Sequence, residues 1–166
     1  MQDSSARLIL ASRSPYRKAL LERLTERFES LPADIDESRR PAEPPPALAA
    51  RLAVGKAQVL AEQRREALVI GSDQVAALDD TVLSKPGGHE RAAQQLTACS
   101  GHTVTFYTAV ALLCTASGLC EQHTDVTRVN FRTLSRAEID AYLEADQPWD
   151  CAGSFRAEGR GSILEV

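Results

Sequence analysis

Ala67-Leu68-Val69-Ile70-Gly71-Ser72-Asp73-Gln74 is an apolar run that ends abruptly in a small-residue step and a carboxylate. Such a run predicts a strand buried on both faces, the usual environment of a parallel sheet. A buried strand that hands an aspartate to its carboxyl end places it at the rim of the sheet, where ligands of open α/β sheets bind. Asp73 is therefore the first candidate for chemistry. The alternative is that Ser72 and Asp73 only begin a turn.

Upstream, Arg7 to Ala11 reads as a short strand, and Ser14 followed by Pro15 marks a helix start with an N-cap and a proline at the first helical position. Leu20, Leu21, Leu24 and Phe28 then fall at helical spacing. The free N–H groups of that helix start, with Arg17 and Lys18 close by, would suit an anion. They would equally suit an ordinary strand-to-helix corner with solvated basic residues. Residues 32–46 hold five of the eight prolines around Asp34-Ile35-Asp36-Glu37-Ser38-Arg39-Arg40, which predicts an irregular segment long enough to be functional. A helix is expected from Ala47 to Arg65 with Leu48, Leu52, Val59 and Leu60 on one side. Lys56 stands on that inward stripe. Either its stem lies along the edge of the core with the ammonium in water, or it is aimed at something negative.

Downstream, Val75 to Val82 looks like a second short strand broken by Asp79-Asp80, and Ser84-Lys85-Pro86-Gly87-Gly88 is a loop whose lysine is either a phosphate contact or simply solvated. Glu90 to Ser100 should be a helix closed by Gly101. Thr103 to Cys114 reads as a long strand, turned at Ser117-Gly118 into Glu121 to Arg132 with Thr127, Val129 and Phe131 on one face, so an antiparallel hairpin is expected. Ser135-Arg136-Ala137-Glu138 is a capping box opening a helix through Ile139, Tyr142 and Leu143, stopped by Pro148. The three glycines between Cys151 and Gly161 predict backbone packed close to a ligand or to another segment. Strands interleaved with helices, plus a hairpin, give an α/β class: a single domain with a mixed, twisted sheet flanked by helices.

At 166 residues and 43% apolar composition the chain suffices for one compact domain. Its net charge of -4, with basic residues scattered, argues against nucleic acid or a membrane surface as partner. Cys99, Cys114, Cys120 and Cys151 lack the paired spacing of a zinc site, and reduced thiols in a cytoplasm are the simpler account. The polar amino terminus and the absence of any run near the ~18 apolar residues of a membrane span agree with a cytoplasmic protein. His89, His102 and His123 read as solvated or structural.

Several motifs, in one order over nearly the whole chain, resemble the Maf family of nucleotide pyrophosphatases. They are Leu8-Ile9-Leu10-Ala11-Ser12-Arg13-Ser14-Pro15-Tyr16-Arg17, Asp36-Glu37, Arg51-Leu52-Ala53 with Lys56-Ala57, and Ile70-Gly71-Ser72-Asp73-Gln74. Lys85-Pro86, Ser100-Gly101 with Val104-Thr105-Phe106, and Cys151-Ala152-Gly153-Ser154-Phe155 with Glu158-Gly159 complete them. The resemblance implies the fold shared with inosine triphosphate pyrophosphatase-like proteins. It is nearest to the YceF-type branch, which converts 7-methyl-GTP to the monophosphate and pyrophosphate and so removes modified nucleotides from the pool. The branch acting on dTTP and UTP has an arginine at the position of Tyr16, a threonine at Gln74 and a glutamine at Glu158. A 7-methylguanine ring is positively charged, so an aromatic face and a carboxylate suit it while an arginine would repel it. Gln74 would add a hydrogen bond to the base or the ribose.

Carried over residue by residue, the resemblance makes Asp73 the proton acceptor for water, with Lys56, Lys85 and Glu37 the other catalytic positions. Arg17 and the two lysines would hold phosphates, Ser12 would donate a hydrogen bond, and Tyr16, Gln74 and Glu158 would read the nucleoside. Glu37 and Asp73 would hold Mg²⁺ or Mn²⁺, since carboxylates and phosphates suit such ions. The implied partner is a small nucleotide, with no nucleic acid and no membrane, and with room for a homodimer. Family members continue past Glu158-Gly159 with a further loop and helix, so the expected domain over 1–166 lacks that segment. The alternative function is a catalytically weakened, nucleotide-binding regulator of cell division.

Overall fold

In the computed structural model, which describes residues 7–156, the chain forms β1 (Leu8–Ala11), α1 (Pro15–Glu22), β2 (Glu29–Leu31), α2 (Pro45–Gln63), β3 (Leu68–Leu78), β4 (Thr81–Leu83), α3 (His89–Cys99), β5 (Thr103–Cys114), β6 (Leu119–Asn130) and α4 (Arg136–Asp146), with a 3-10 turn at Ala152–Ser154. The strand order is β2-β1-β3-β5-β6, with β4 paired to β3. β1 runs parallel to β2 and to β3, whereas β3 and β4 are antiparallel. β5 and β6 form the expected hairpin, turned at residues 115–118 and tied at its open end by Thr103 Oγ1 donating to Asn130 Oδ1 at 2.7 Å. The sheet is mixed and the class is α/β, as the sequence predicts.

Two compact units are distinguishable: among the described residues, one holds 7–73 with 108–125 and the other 74–107 with 126–156. In the first, α2 packs on β1, and the core gathers Ile9, Leu10, Leu48, Leu52, Ala53, Leu60 and Val69. Gly71 makes that packing close. A Cβ built there would lie 2.7 Å from the Ala57 nitrogen and nearer still to the Ala53 carbonyl oxygen, so only glycine lets β3 pass beneath the helix. The small-residue step thus marks a helix crossing and not the end of a strand. β3 continues through Val75, Ala76 and Ala77, all buried, to a turn at Asp79-Asp80. Two expectations change accordingly: Val75 to Val82 is not a separate strand, and Asp73 stands in mid-strand instead of at the carboxyl end.

The helix starting at Pro15 is also shorter than its leucine spacing suggested. α1 ends at Glu22, buries none of its residues, and leaves Leu20 and Leu24 exposed. The chain instead turns at Arg23–Thr25, where Arg23 N donates to the Leu20 carbonyl and Thr25 N to that of Leu21. It then enters β2, a three-residue strand whose Glu-Ser-Leu sequence carries no strand pattern.

In the second unit the core comprises Leu96, Val104, Phe106, Val129, Phe131, Ile139, Tyr142 and Leu143. Phe155 closes it, with its ring 5.7 Å from Phe106 and 5.8 Å edge-on to Phe131. Thr127, expected beside Val129 and Phe131, is exposed. Gly153, at φ 69°, lies where a Cβ would meet the Ala76 methyl at 3.3 Å, so this glycine serves close packing against another segment. Gly159 and Gly161 lie outside the described residues.

Both halves of the capping box are present at Ser135 and Glu138. The Ser135 backbone and hydroxyl, with the Arg132 guanidinium, hold the Glu138 carboxyl down from its ordinary 4.5 to about 2. A depressed carboxyl stabilises the fold above its unfolded value and loses that contribution as the pH falls through its folded one, so the box is intact at neutral pH and fails only on strong acidification. Ser135→Ala should lower stability at neutral pH by about 1 kcal/mol in chemical denaturation, the usual value of an N-cap. The four cysteines are free, and burial pushes the Cys99 thiol up to about 11. No helix among the described residues is long and apolar enough to cross a membrane.

Candidate functional site

In the first unit β1 has parallel neighbours on both sides, β2 reached through α1 and β3 reached through α2. The connections that leave β1 and β3 therefore diverge, the topology beside which ligands of open α/β sheets bind, here level with the end of β1 and the middle of β3. Ala11 pairs with Gly71, so the loop Ser12-Arg13-Ser14 leaves β1 level with Ser72 and Asp73. That loop is built for a helix start. Ser14 Oγ accepts from Arg17 N at 3.3 Å, and Ser12 Oγ accepts from Ser14 N at 3.0 Å. Ser30 Oγ donates to the Ser12 carbonyl at 2.9 Å, tying the loop to β2. Ser12 is 7% exposed, and its hydroxyl proton is uncommitted among the described residues. No carboxylate among the described residues pairs with the Arg17 guanidinium, so its charge and the helix N-terminus are available to an anion.

Lys56 is aimed at carboxylates, which settles the choice left open by the sequence. Its Nζ lies 2.6 Å from Asp73 Oδ1 and 2.7 Å from Glu37 Oε1. Lys56 and Asp73 are 8% and 7% exposed, so their charges meet away from bulk water, where an ion pair survives only if well matched. Glu37 reaches the same ammonium from the irregular 32–44 segment. Glu37, Lys56, Asp73, Ser12 and Arg17 thus all belong to one unit, as does Tyr16 on the first turn of α1.

The other expected residues lie elsewhere in the chain. Gln74, the next residue along β3, is exposed and begins the second unit, and Lys85 is exposed in the loop before α3. Glu158 lies outside the described residues. Of the histidines, His102 Nδ1 lies 2.8 Å from the Ser100 carbonyl, His89 Nε2 lies 3.6 Å from Asp140, and His123 is exposed.

No three His, Cys, Asp or Glu side chains gather as a metal cage among the described residues. Glu37 and Asp73 nevertheless both reach the Lys56 ammonium, which sets two hard oxygen donors close together. A pair of carboxylates completed by phosphate oxygens is the usual protein share of a Mg²⁺ or Mn²⁺ site, so the residues present fit an ion that arrives with a triphosphate. Sequence reasoning quoted Arg51 without giving it a task and passed over Glu43. Arg51 Nε donates to Glu43 Oε1 at 2.6 Å, and its NH2 group to Glu43 Oε2 at 2.8 Å and to the Ser38 carbonyl at 2.9 Å. The available signal was a glutamate just before a proline-started helix with an arginine inside it.

The sequence profile of the family described as Maf-like protein matches residues 7–166. The chain belongs to the Maf family. A Maf relative from Alkalilimnicola ehrlichii, named 7-methyl-GTP pyrophosphatase, is 52% identical over 157 residues, which is 95% of this chain and 79% of that protein. A protein of the same name from Xanthomonas axonopodis pv. citri is 54% identical over 158 residues, 95% of this chain and 82% of its own length. Among solved structures, the Staphylococcus aureus Ham1 protein superposes with a TM-score of 0.52 at 10% identity, covering 95% of this chain and 91% of that one. At that identity the likeness speaks for the fold alone, and it agrees with the α/β architecture expected of a Maf protein.

Proposed function

We propose that this chain is a cytoplasmic nucleoside triphosphate pyrophosphatase that hydrolyses 7-methyl-GTP to 7-methyl-GMP and pyrophosphate, clearing a modified nucleotide from the pool. The observation that carries it is the buried Lys56 ammonium between Asp73 and Glu37, beside a capped helix start and an Arg17 guanidinium that no carboxylate neutralises. Relatives about half identical to this chain bear the name of that activity.

Water attacks the α-phosphorus: its O–H bond breaks toward the Asp73 carboxylate as its oxygen bonds to phosphorus. The bond from the α-phosphorus to the bridging oxygen breaks, and pyrophosphate leaves with the electron pair. Lys56 keeps Asp73 oriented and presents positive charge to the phosphates. Arg17 and the N–H groups of the capped helix bind further phosphate oxygens, and the Ser12 hydroxyl donates to one of them, while Lys85 is given a phosphate by the family resemblance alone. A divalent cation held by Glu37 and Asp73 together with those oxygens would neutralise developing charge. Tyr16, Gln74 and Glu158 are the residues proposed to choose the base.

The test is pyrophosphate release by the purified chain from 7-methyl-GTP, GTP, dTTP and UTP with Mg²⁺ or Mn²⁺. Turnover of 7-methyl-GTP well above the other three is expected. Binding of 7-methyl-GTP without turnover would instead restore the regulator alternative.

A further inference from the structure

The segment 32–44 has no regular secondary structure, yet it delivers Glu37 to Lys56. Backbone of this kind holds a side chain in place only where something outside it fixes the chain. Apart from an exposed pair between Arg13 and Asp34, the fixing points come from one helix. Ile35 lies against Gly55, where an added Cβ would stand 3.3 Å from its Cδ1. Glu37 meets Lys56, one residue on. Arg51, five residues before Lys56 on α2, grips both the Ser38 carbonyl and the Glu43 carboxylate.

Glu43 in turn ties down the far side of the segment. It accepts from Arg40 N at 3.1 Å through its side chain, and its carbonyl accepts from Arg39 Nε at 2.8 Å. The two-pronged bond between Arg51 and Glu43 is largely shielded, with side-chain exposures of 23% and 9%, so it is a better anchor than a solvated surface pair. On the other side Ser38 N donates to Asp36 Oδ1 at 2.9 Å, so both neighbours of Glu37 are engaged.

We infer that Arg51 is a positioning residue, which through Glu43 and the Ser38 carbonyl holds the 32–44 segment so that Glu37 stays on Lys56. Its kinetic consequence rests on the pyrophosphatase activity proposed above; the anchoring itself does not. Arg39 lies on the anchored segment and is exposed, so trypsin cutting between Arg39 and Arg40 reports its release directly, whereas Pro41 protects the bond after Arg40. Arg51→Met and Glu43→Gln should each speed cleavage of the Arg39–Arg40 bond and lower kcat/KM about tenfold, roughly the coupling of neighbours that share a partner. Arg51→Lys should restore only part of either, since an ammonium cannot fork between two carboxylate oxygens.

The decisive comparison is made in a Glu37→Gln background, where Arg51→Met should cost no further activity, because it acts through a carboxylate already removed. Cleavage at the wild-type rate in both Arg51→Met and Glu43→Gln would overturn the inference. So would a full additional loss of activity in the Glu37→Gln background. If the wild-type chain released no pyrophosphate, the proposed function would fail while the anchor would still stand or fall on the cleavage rates.

Discussion

Asp73→Asn is expected to lower kcat for 7-methyl-GTP by about 10²–10⁴-fold, the usual contribution of a positioned general base. The substitution keeps the shape of the side chain and one oxygen to accept from Lys56, whose Nζ now lies 2.6 Å from Oδ1. What it removes is the capacity to take a proton from water, together with one negative charge beside the ammonium. Nucleotide affinity, measured by calorimetry, should therefore fall much less than kcat, because Lys56 and Arg17 remain and face the phosphates with less competition. A loss of affinity equal to the loss of turnover would mean that Asp73 acts only by holding substrate or metal and takes no part in proton transfer. Unchanged turnover would remove it from the chemistry altogether.

Gly71→Ala carries the largest expected cost in stability. The added Cβ would stand 2.7 Å from the Ala57 nitrogen and 2.9 Å from the Ala57 methyl, and would intrude on the Ala53 carbonyl oxygen as well. Helix backbone cannot yield as a flexible side chain does, so α2 must lift from β3. Overpacking costs about 1–3 kcal/mol where side chains can adjust, and a backbone clash should exceed that, a large share of the ~5–15 kcal/mol that holds a domain folded. Ala53 and Ala57 flank Lys56 on α2, so the same displacement draws the ammonium away from Asp73, two residues beyond Gly71 on β3. Denaturant unfolding and pyrophosphate release should thus fail together. Gly55→Ala is the control: its Cβ would meet only the tip of Ile35 at 3.3 Å, and a change within about 1 kcal/mol is expected.

What the sequence revealed, and what it hid, divides along physical lines. Local rules were legible: the Ser14 cap with Pro15, the capping box at Ser135 and the hairpin at Ser117-Gly118 each depend on residues within a few positions of one another. Lys56 stood out because a charge on an apolar stripe is costly unless it is answered. Its partners were not legible, since Glu37 and Asp73 come from 19 residues before it and 17 after it, and only folding brings them together. The extent of β3 was misjudged for a related reason. Gly71 and Ser72 look like a break until the helix above them is seen to need the room. The leucines of α1 followed helical spacing without a surface to bury against, and spacing alone reports no neighbour. β2 gave no warning, being a three-residue strand recruited by the edge of β1.

The ammonium of Lys56 joins two parts of the chain with opposite dynamic character. Asp73 stands in β3, which lies between β1 and β5 in the sheet and buries most of its residues, so its amides should be among the last to exchange with deuterated solvent. Glu37 stands on a segment with no ladder to protect its amides, which should exchange among the first. One carboxylate is therefore built into the slowest-opening framework and the other into backbone held chiefly by side-chain contacts, so protection maps taken with and without nucleotide should differ at residues 35–43 and barely at 69–77.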